Sequence, residues 1–402
     1  MRNQLTLMQE LAVENDAKII VIVLDGLGGL PHPETALTEL ATAKTPNLDA
    51  FAKRSICGMA DPVMPGITPG SAPGHLAIFG YDPMEYYLGR GVLEALGIDM
   101  ELKPGDIAAR GNYCTLDSAG AITDRRAGRL TTEQNIQLTA MLDGLRYDDI
   151  EVIVKPVKDH RFVAVFRGPG LSDKVTDSDP QKINASPLVV KPLMEQGAYT
   201  AGVVNRFIEY AMARLGGHTP ANGLLLRGFS KKPSFPDFGE IYKLRSCAVA
   251  SYPMYRGLAK VVGMNVANTG STVEQQIDTL KQCFEQYDYF FLHYKPTDAA
   301  GEDGNFSTKV KALEVFDSLL PEIEALRPDV MVVTGDHSTP ATFQGHSWHT
   351  VPVAICGKYC RPDSVSRFDE NECNNGGLGR IPAHQIMAVA MANALKLTKY
   401  GA

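Results

Sequence analysis

Lys18-Ile19-Ile20-Val21-Ile22-Val23-Leu24, broken at once by Asp25-Gly26, decides the fold. After Lys18 the run is wholly apolar and rich in β-branched side chains. It has no solvent face and reads as a strand buried on both sides. Outward along the chain, similar apolar runs return at 224–226, 247–250, 289–293, 330–334 and 351–355. Helical patterns fall between them, at 45–54, 272–286, 308–325 and 384–397. Strands alternating with helices predict the α/β class, a mostly parallel sheet with helices on both faces.

The middle of the chain breaks this rhythm. Residues 110–116, a turn at Asp117-Ser118-Ala119-Gly120, and 121–123 read as a hairpin, and 151–155 with 161–167 as a second antiparallel pair. They predict a smaller inserted α+β domain over 108–189, with 1–107 and 190–402 forming the core domain. A chain of 402 residues suits a large domain carrying such an insertion. The stretch 369–380 is so rich in Gly and Asn that a loop without regular structure is expected.

Composition excludes several classes. With 44% hydrophobic and 21% charged residues the chain is an ordinary globular one. A net charge of −7 argues against a nucleic-acid partner or an anionic membrane surface. The apolar runs are strand-sized, well short of the roughly 20 residues a membrane helix needs. Residues 1–17 contain Glu10, Glu14 and Asp16 and lack the layout of a signal peptide. Seven cysteines have no framework spacing, and Cys356-x-x-x-Cys360 has no matching pair. Free thiols in a reducing cytoplasm are expected.

Chemistry gathers where the buried strands end. Asp25 directly follows the first, so its carboxylate should emerge at the sheet's C-terminal edge, although Asp-Gly is also a common turn former. Val332-Val333-Thr334-Gly335-Asp336-His337 and the nearby Gly345-His346-Ser347-Trp348-His349 bring a carboxylate and imidazoles, which suit Zn²⁺, Mn²⁺ or a similar ion. Tyr294-Lys295-Pro296-Thr297-Asp298, followed by Glu302 and Asp303, delivers more carboxylates to that edge. Ser71, in Gly70-Ser71-Ala72-Pro73-Gly74-His75, sits at a tight turn into a helix, as a cap or as a nucleophile needing activation. No dinucleotide fingerprint or P-loop is present, and the Ser71 stretch lacks the G-x-S-x-G spacing. Basic residues concentrate in and around the insert, at Asp124-Arg125-Arg126-Ala127-Gly128-Arg129, His160-Arg161 and Arg227. Arginine forks in an otherwise acidic chain point to a small phosphorylated acid; surface salt bridges are the plainer alternative.

Taken together these motifs resemble the alkaline phosphatase superfamily. More closely, the chain is similar to the archaeal-type cofactor-independent (2,3-bisphosphoglycerate-independent) phosphoglycerate mutases. The stretches that carry the resemblance are Thr45-Pro46-Asn47-Leu48-Asp49, 67–83 (ITPGSAPGHLAIFGYDP), 89–95 (GRGVLEA), 124–129 (DRRAGR), 251–257 (SYPMYRG) and 334–339 (TGDHST). The resemblance implies an alkaline phosphatase-like fold and two divalent ions, drawn from Mn²⁺, Zn²⁺, Co²⁺ and Mg²⁺, with no bisphosphoglycerate. One ion is implied on Asp25, Ser71, Asp336 and His337. The other is implied on Asp298, the residue four positions on, and a histidine before Pro352, which falls on His346 with His349 as runner-up. Where the family pattern reads Gly-His-Asp-Gly, this chain has Gly301-Glu302-Asp303-Gly304, so Glu302 replaces an imidazole with a carboxylate that favours a harder metal.

The implied activity is interconversion of 3-phosphoglycerate and 2-phosphoglycerate in glycolysis and gluconeogenesis. Metal-activated Ser71 would take the phosphoryl group as phosphoserine and return it to the other hydroxyl of a trapped glycerate. Arg125, Arg126, Arg129, Arg161 and Arg227 are the expected grips on substrate, and Asp124 the orienter or proton shuttle. The alternatives are a phosphomonoesterase or another phosphotransferase using the same serine, such as a homoserine kinase-like enzyme. A non-catalytic binding protein is the alternative from another class.

Overall fold

The computed structural model describes residues 3–128 and 130–401. It divides into two compact units, 1–87 with 235–402, and 88–234. The second is wider than the 108–189 read from the sequence, because both flanks pack into its sheet.

The first unit is built on an eight-stranded sheet. From one edge its strands are Asn265–Val266, Ser246–Val249, Tyr289–Tyr294, Ile19–Leu24, Val330–Thr334, Val351–Gly357, Ile56–Asp61 and Gly379–Pro382. Among the described residues every pairing is parallel except the two made by Val351–Gly357. Ile19–Leu24 is central and buried at every position, as its lack of a polar face requires. Ile20, Ile22 and Leu24 enter a core with Phe51, Ile277, Leu280, Leu313, Phe316 and Leu320 from helices Pro46–Ala52, Val273–Cys283 and Phe306–Glu324. On the other face Phe291, in register with Val21, meets the rings of His75 and Phe79, and Phe79 in turn meets Phe238. The mostly parallel α/β sheet with helices on both faces is what the alternation predicts. No helix among the described residues is long and apolar enough to cross a membrane.

Register fixes where the chemistry emerges. Leu24 pairs with Tyr294 and Val23 with Thr334, so Asp25, Lys295 and Asp336 lie at one level just past the strand ends. Two sequence expectations fail here. The stretch 369–380 contains a short helix, Glu370–Cys373, capped by the Asp369 side chain, and the edge strand Gly379–Pro382. A capping aspartate overrode a composition that otherwise reads as loop.

The other correction concerns 224–226, which does not join the core sheet. It lies in Gly223–Lys231, antiparallel to Ile107–Leu116 in the second unit. There the other strands run Ile122–Asp124, Ile107–Leu116, Arg161–Arg167, Ile150–Lys158 and Leu145–Tyr147, all antiparallel. Both antiparallel pairs read from the sequence are present. Leu138 and Leu142 of helix Thr132–Leu142 and Val204, Phe207 and Ala211 of helix Ala198–Leu215 fill one core with Phe162, Phe166, Leu224 and Leu226. The first of these helices starts on a reciprocal cap between Thr131 and Gln134.

Candidate functional site

The three loops leaving the core strands converge on His337. Its Nδ1 lies 2.9 Å from the Thr339 hydroxyl, which is 2.6 Å from Asp298 Oδ1. Thr339 has one proton and an ionised carboxylate has none, so the hydroxyl donates to Asp298 and accepts from His337 Nδ1–H. That fixes the tautomer: the lone pair of His337 is on Nε2. Nε2 faces Asp336 Oδ2 at 3.1 Å, Asp25 Oδ1 at 3.4 Å and Ser71 Oγ at 3.2 Å.

Each aspartate gives one oxygen to the protein and leaves the other free. Asp25 Oδ2 accepts from His293 Nε2 at 3.0 Å and Lys295 Nζ at 3.1 Å, and Asp336 Oδ1 accepts from the Gly26 N–H at 3.1 Å. Asp25 Oδ1 and Asp336 Oδ2 are buried with no hydrogen-bond partner. His75 Nδ1 is 3.1 Å from Asp336 Oδ2, but its proton goes to the Ser71 carbonyl at 2.9 Å. Two bare carboxylate oxygens around an imidazole lone pair are expensive unless a cation joins them. The set Asp25, Asp336 and His337, with the Ser71 hydroxyl beside it, fits a divalent ion in ligand type and count.

Asp25 is raised by burial and by Asp336, then brought below its ordinary value by Lys295 and His293. Burial drives His293 down to about 4, which keeps it a neutral donor to Asp25.

Ser71 is the first residue of helix Ser71–Ile78; the cap is Gly70, so the serine side chain is not spent on capping. Gly74, one turn on, lies so close to Asp336 that a Cβ there would overlap the Asp336 carbonyl oxygen. Only glycine lets this helix bring Ser71 against the strand loop.

A second set of ligand atoms, from Asp298, His337 and His346, adjoins the first. His346 Nδ1 donates to the Pro69 carbonyl at 2.9 Å, which turns Nε2 toward Asp298 Oδ1 at 3.6 Å and Glu302 Oε1 at 3.7 Å. Its ring stacks on His337 with centroids 3.6 Å apart. Burial lowers His346, yet Glu302, Pro69 and Asp298 outweigh this and push it up to about 9, so a metal here displaces a proton. Glu302 lies outside the mutually close set, and its side chain is 56% exposed. His349 also lies outside it, with Nδ1 on Ser347 Oγ at 3.0 Å. Lys295 Nζ bridges Asp298 Oδ2 at 2.5 Å and Asp25 Oδ2 at 3.1 Å. His75, His293, Lys295 and Thr339 were given no role from sequence; only folding brings them to the two aspartates.

In the second unit the arginines form a patch of their own. Arg110 lies directly across from Arg227, and Asn112, two residues along the same face, lies across from Arg161. Like charges opposed across a ladder repel. The Nε atoms of Arg125, Arg161 and Arg227 are buried without hydrogen-bond partners, and that of Arg110 has Glu94 Oε1 at 3.2 Å. Burial, only partly offset by Glu94, lowers Arg110 to about 10, and neighbouring arginines push the same way. His160 falls to about 4 through burial and the charges of Arg161 and Arg126.

Arg125 Nη2 pairs with the buried Asp179 at 2.7 Å, Arg126 is exposed, and Arg129 lies outside the described residues. Asp124 accepts the Arg126 and Gly128 N–H groups at 2.8 and 2.7 Å. Burial raises its carboxyl, but these bonds bring it below the ordinary value, which suits a fixed orienter better than a proton shuttle. Arg110 was missed in the sequence, because its partnership with Arg227 exists only across the sheet.

Carboxylates, imidazoles and a helix-start serine at the C-terminal edge of a parallel sheet define a class: α/β proteins shaped to hold a cation beside a hydroxyl. The sequence profile for 2,3-bisphosphoglycerate-independent phosphoglycerate mutase matches residues 52–221. A Thermus thermophilus protein described as a probable 2,3-bisphosphoglycerate-independent phosphoglycerate mutase is 50% identical over 400 residues, 98% of each chain. Among solved structures, a Pyrococcus horikoshii protein, 31% identical, aligns with a TM-score of 0.83 over 97% of this chain and 100% of that one. The cofactor-independent phosphoglycerate mutase of Thermoplasma acidophilum, 32% identical, aligns at 0.73 over 94% and 100%. The chain belongs to the 2,3-bisphosphoglycerate-independent phosphoglycerate mutase family.

Proposed function

We propose that this protein interconverts 3-phosphoglycerate and 2-phosphoglycerate, without bisphosphoglycerate, through a phosphoserine on Ser71. The reading rests on family membership and on one observation: the free oxygens of Asp25 and Asp336 face the same His337 nitrogen that holds the Ser71 hydroxyl. Asp25, Ser71, Asp336 and His337 would hold one divalent ion, and Asp298 and His346, with Glu302 within reach, the other. Bound there, the ions would lower the pKa of the serine hydroxyl and spread the charge of the transferring phosphoryl group.

Ser71 Oγ, giving up its proton, forms the new bond to phosphorus as the bond from phosphorus to the C3 oxygen breaks, and that oxygen takes a proton and leaves as the glycerate 3-hydroxyl. In the return step the 2-hydroxyl oxygen, losing its proton, bonds to phosphorus as the phosphorus–Oγ bond of phosphoserine breaks, and Ser71 Oγ takes a proton back. Lys295, charged between Asp25 and Asp298, adds a fixed positive charge against those two carboxylates. Arg125, Arg126, Arg129, Arg161 and Arg227, joined by Arg110, supply the guanidinium groups for phosphate and carboxylate, and Asp124 orients the glycerate hydroxyls. A cytoplasmic location accords with seven cysteines that are all free.

The test is an enolase-coupled assay on protein reconstituted with Mn²⁺, Zn²⁺, Co²⁺ or Mg²⁺, without bisphosphoglycerate. Isomerisation that Ser71→Ala abolishes is the expected result. Release of free phosphate at a comparable rate would make the protein a phosphomonoesterase, and full activity in Ser71→Ala would remove the serine from the reaction.

A further inference from the structure

Behind the cation-ready aspartates lies a second group of charges that the reaction does not use. Lys309, on helix Phe306–Glu324, is fully buried. Its ammonium donates to three carbonyl oxygens: Gly26 at 2.9 Å, Gly28 at 2.9 Å and Thr339 at 2.8 Å. Those are all the protons it has. Two carboxylates complete the group. Glu39 Oε1 accepts the Ala341 N–H at 2.6 Å, and Glu370 accepts the Gly29 N–H at 2.8 Å and the Thr38 hydroxyl at 2.6 Å. Gly29 lies so close to Glu39 that a Cβ would overlap Glu39 Oε2.

Every backbone group in this network belongs to one of two segments. Gly26, Gly28 and Gly29 follow Asp25, whereas Thr339 and Ala341 follow Asp336 and His337. The two segments also bond directly, Thr339 N–H to the Gly26 and Gly28 carbonyls at 3.3 and 3.1 Å. Helix Phe306–Glu324 begins just after Pro296–Glu302, which carries Asp298. Lys309 therefore ties the loop after Asp25 to the loop after His337, from a helix that follows the segment carrying Asp298.

We infer that Lys309, Glu39 and Glu370 are positioning residues, which set the separation of Asp25 from Asp336 and His337 so that these groups meet around one cation. The inference rests on the reading of that site as a metal centre. A side chain that bonds to backbone behind ligands acts through their placement; groups bonded to the ligands themselves are worth about 10–100-fold in metal affinity, and support one step further back is expected at the lower end of that range.

The experiment compares full-length wild type with Lys309→Met and Glu370→Gln. Glu370→Gln keeps an acceptor for Gly29 while removing one charge. Leu280→Ala, in the core away from the loops, serves as a control for general destabilisation. Mn²⁺ affinity by titration calorimetry and the visible absorption of the Co²⁺-loaded protein are read on each, alongside Tm. The expected result is Mn²⁺ binding weakened about tenfold or more and an altered Co²⁺ spectrum in both variants, with neither change in Leu280→Ala. If Lys309→Met does not fold, Glu370→Gln decides. Variants that lose Tm but bind Mn²⁺ and Co²⁺ as wild type does would overturn the inference. A wild type that binds no divalent ion would instead overturn the reading of the site.

Discussion

Thr339→Val is the sharpest probe of the centre, because valine keeps the shape and removes only the hydroxyl. Thr339 is fully buried, and its oxygen serves Asp298 at 2.6 Å and His337 Nδ1 at 2.9 Å. Its loss strands a carboxylate oxygen and an imidazole N–H together. Each such loss costs about 1–3 kcal/mol; Lys295 still neutralises Asp298, so we expect about 2–4 kcal/mol in all. At about 2–4 °C per kcal/mol for a unit of this size, the Tm of the metal-free protein should fall by about 4–16 °C. The hydroxyl also fixes the lone pair on His337 Nε2, so divalent-ion affinity should drop about 10–100-fold. Thr339→Ser, which keeps the oxygen, should lose little of either. Scanning calorimetry and Mn²⁺ titration measure both quantities. A valine variant with unchanged Tm and unchanged affinity would refute the assignment of the tautomer.

Three further outcomes are expected. Gly74→Ala forces helix Ser71–Ile78 away from Asp336 and should lower kcat about 100-fold, the scale of a 1 Å misplacement, with circular dichroism unchanged; near-normal turnover would contradict it. Arg227→Leu removes one member of the opposed Arg110–Arg227 pair, so kcat/KM should fall about 10–100-fold while Tm stays level or rises; a clear Tm loss would make Arg227 structural. Asp288 is raised by burial but held lower by the Arg245 fork at 2.6 and 3.0 Å. A lowered carboxyl stabilises above its unfolded pKa, near 3.9, and that stability is lost as pH falls through the folded value. Asp288→Asn should therefore cost about 1 kcal/mol in urea unfolding at pH 7 and progressively less as pH falls below about 3.9; a cost that does not change with pH would assign the effect to shape.

Much of the core was legible because its signals are local. A strand buried on both faces is written as a continuous apolar run, and a residue following such a run stands at the sheet's edge. That sufficed for Asp25, Asp298, Asp336 and His337. Ile56–Asp61 and Gly379–Pro382 went unread, since cysteine, glycine, methionine and proline interrupt the pattern. Three leucines at 224–226 announce burial but not the sheet they join. His75 and Lys309 are silent in sequence because their roles lie in what they touch: Asp336 for one, three carbonyls for the other. Glu302 drew attention as a departure from a motif, yet its side chain is more than half exposed and lies outside the second ligand set.

The pairing of Leu24 with Tyr294 and Val23 with Thr334 makes the backbone ladder a measuring rule for the chemistry. One residue of slip would carry Asp25 about 3.3 Å along the sheet and turn its side chain to the opposite face. A metal–ligand bond tolerates only about 0.2 Å. A single-residue insertion or deletion inside Ile19–Leu24 should thus erase activity even where the apolar run absorbs it without unfolding, and lineages that keep the reaction should vary this strand by substitution and never by length.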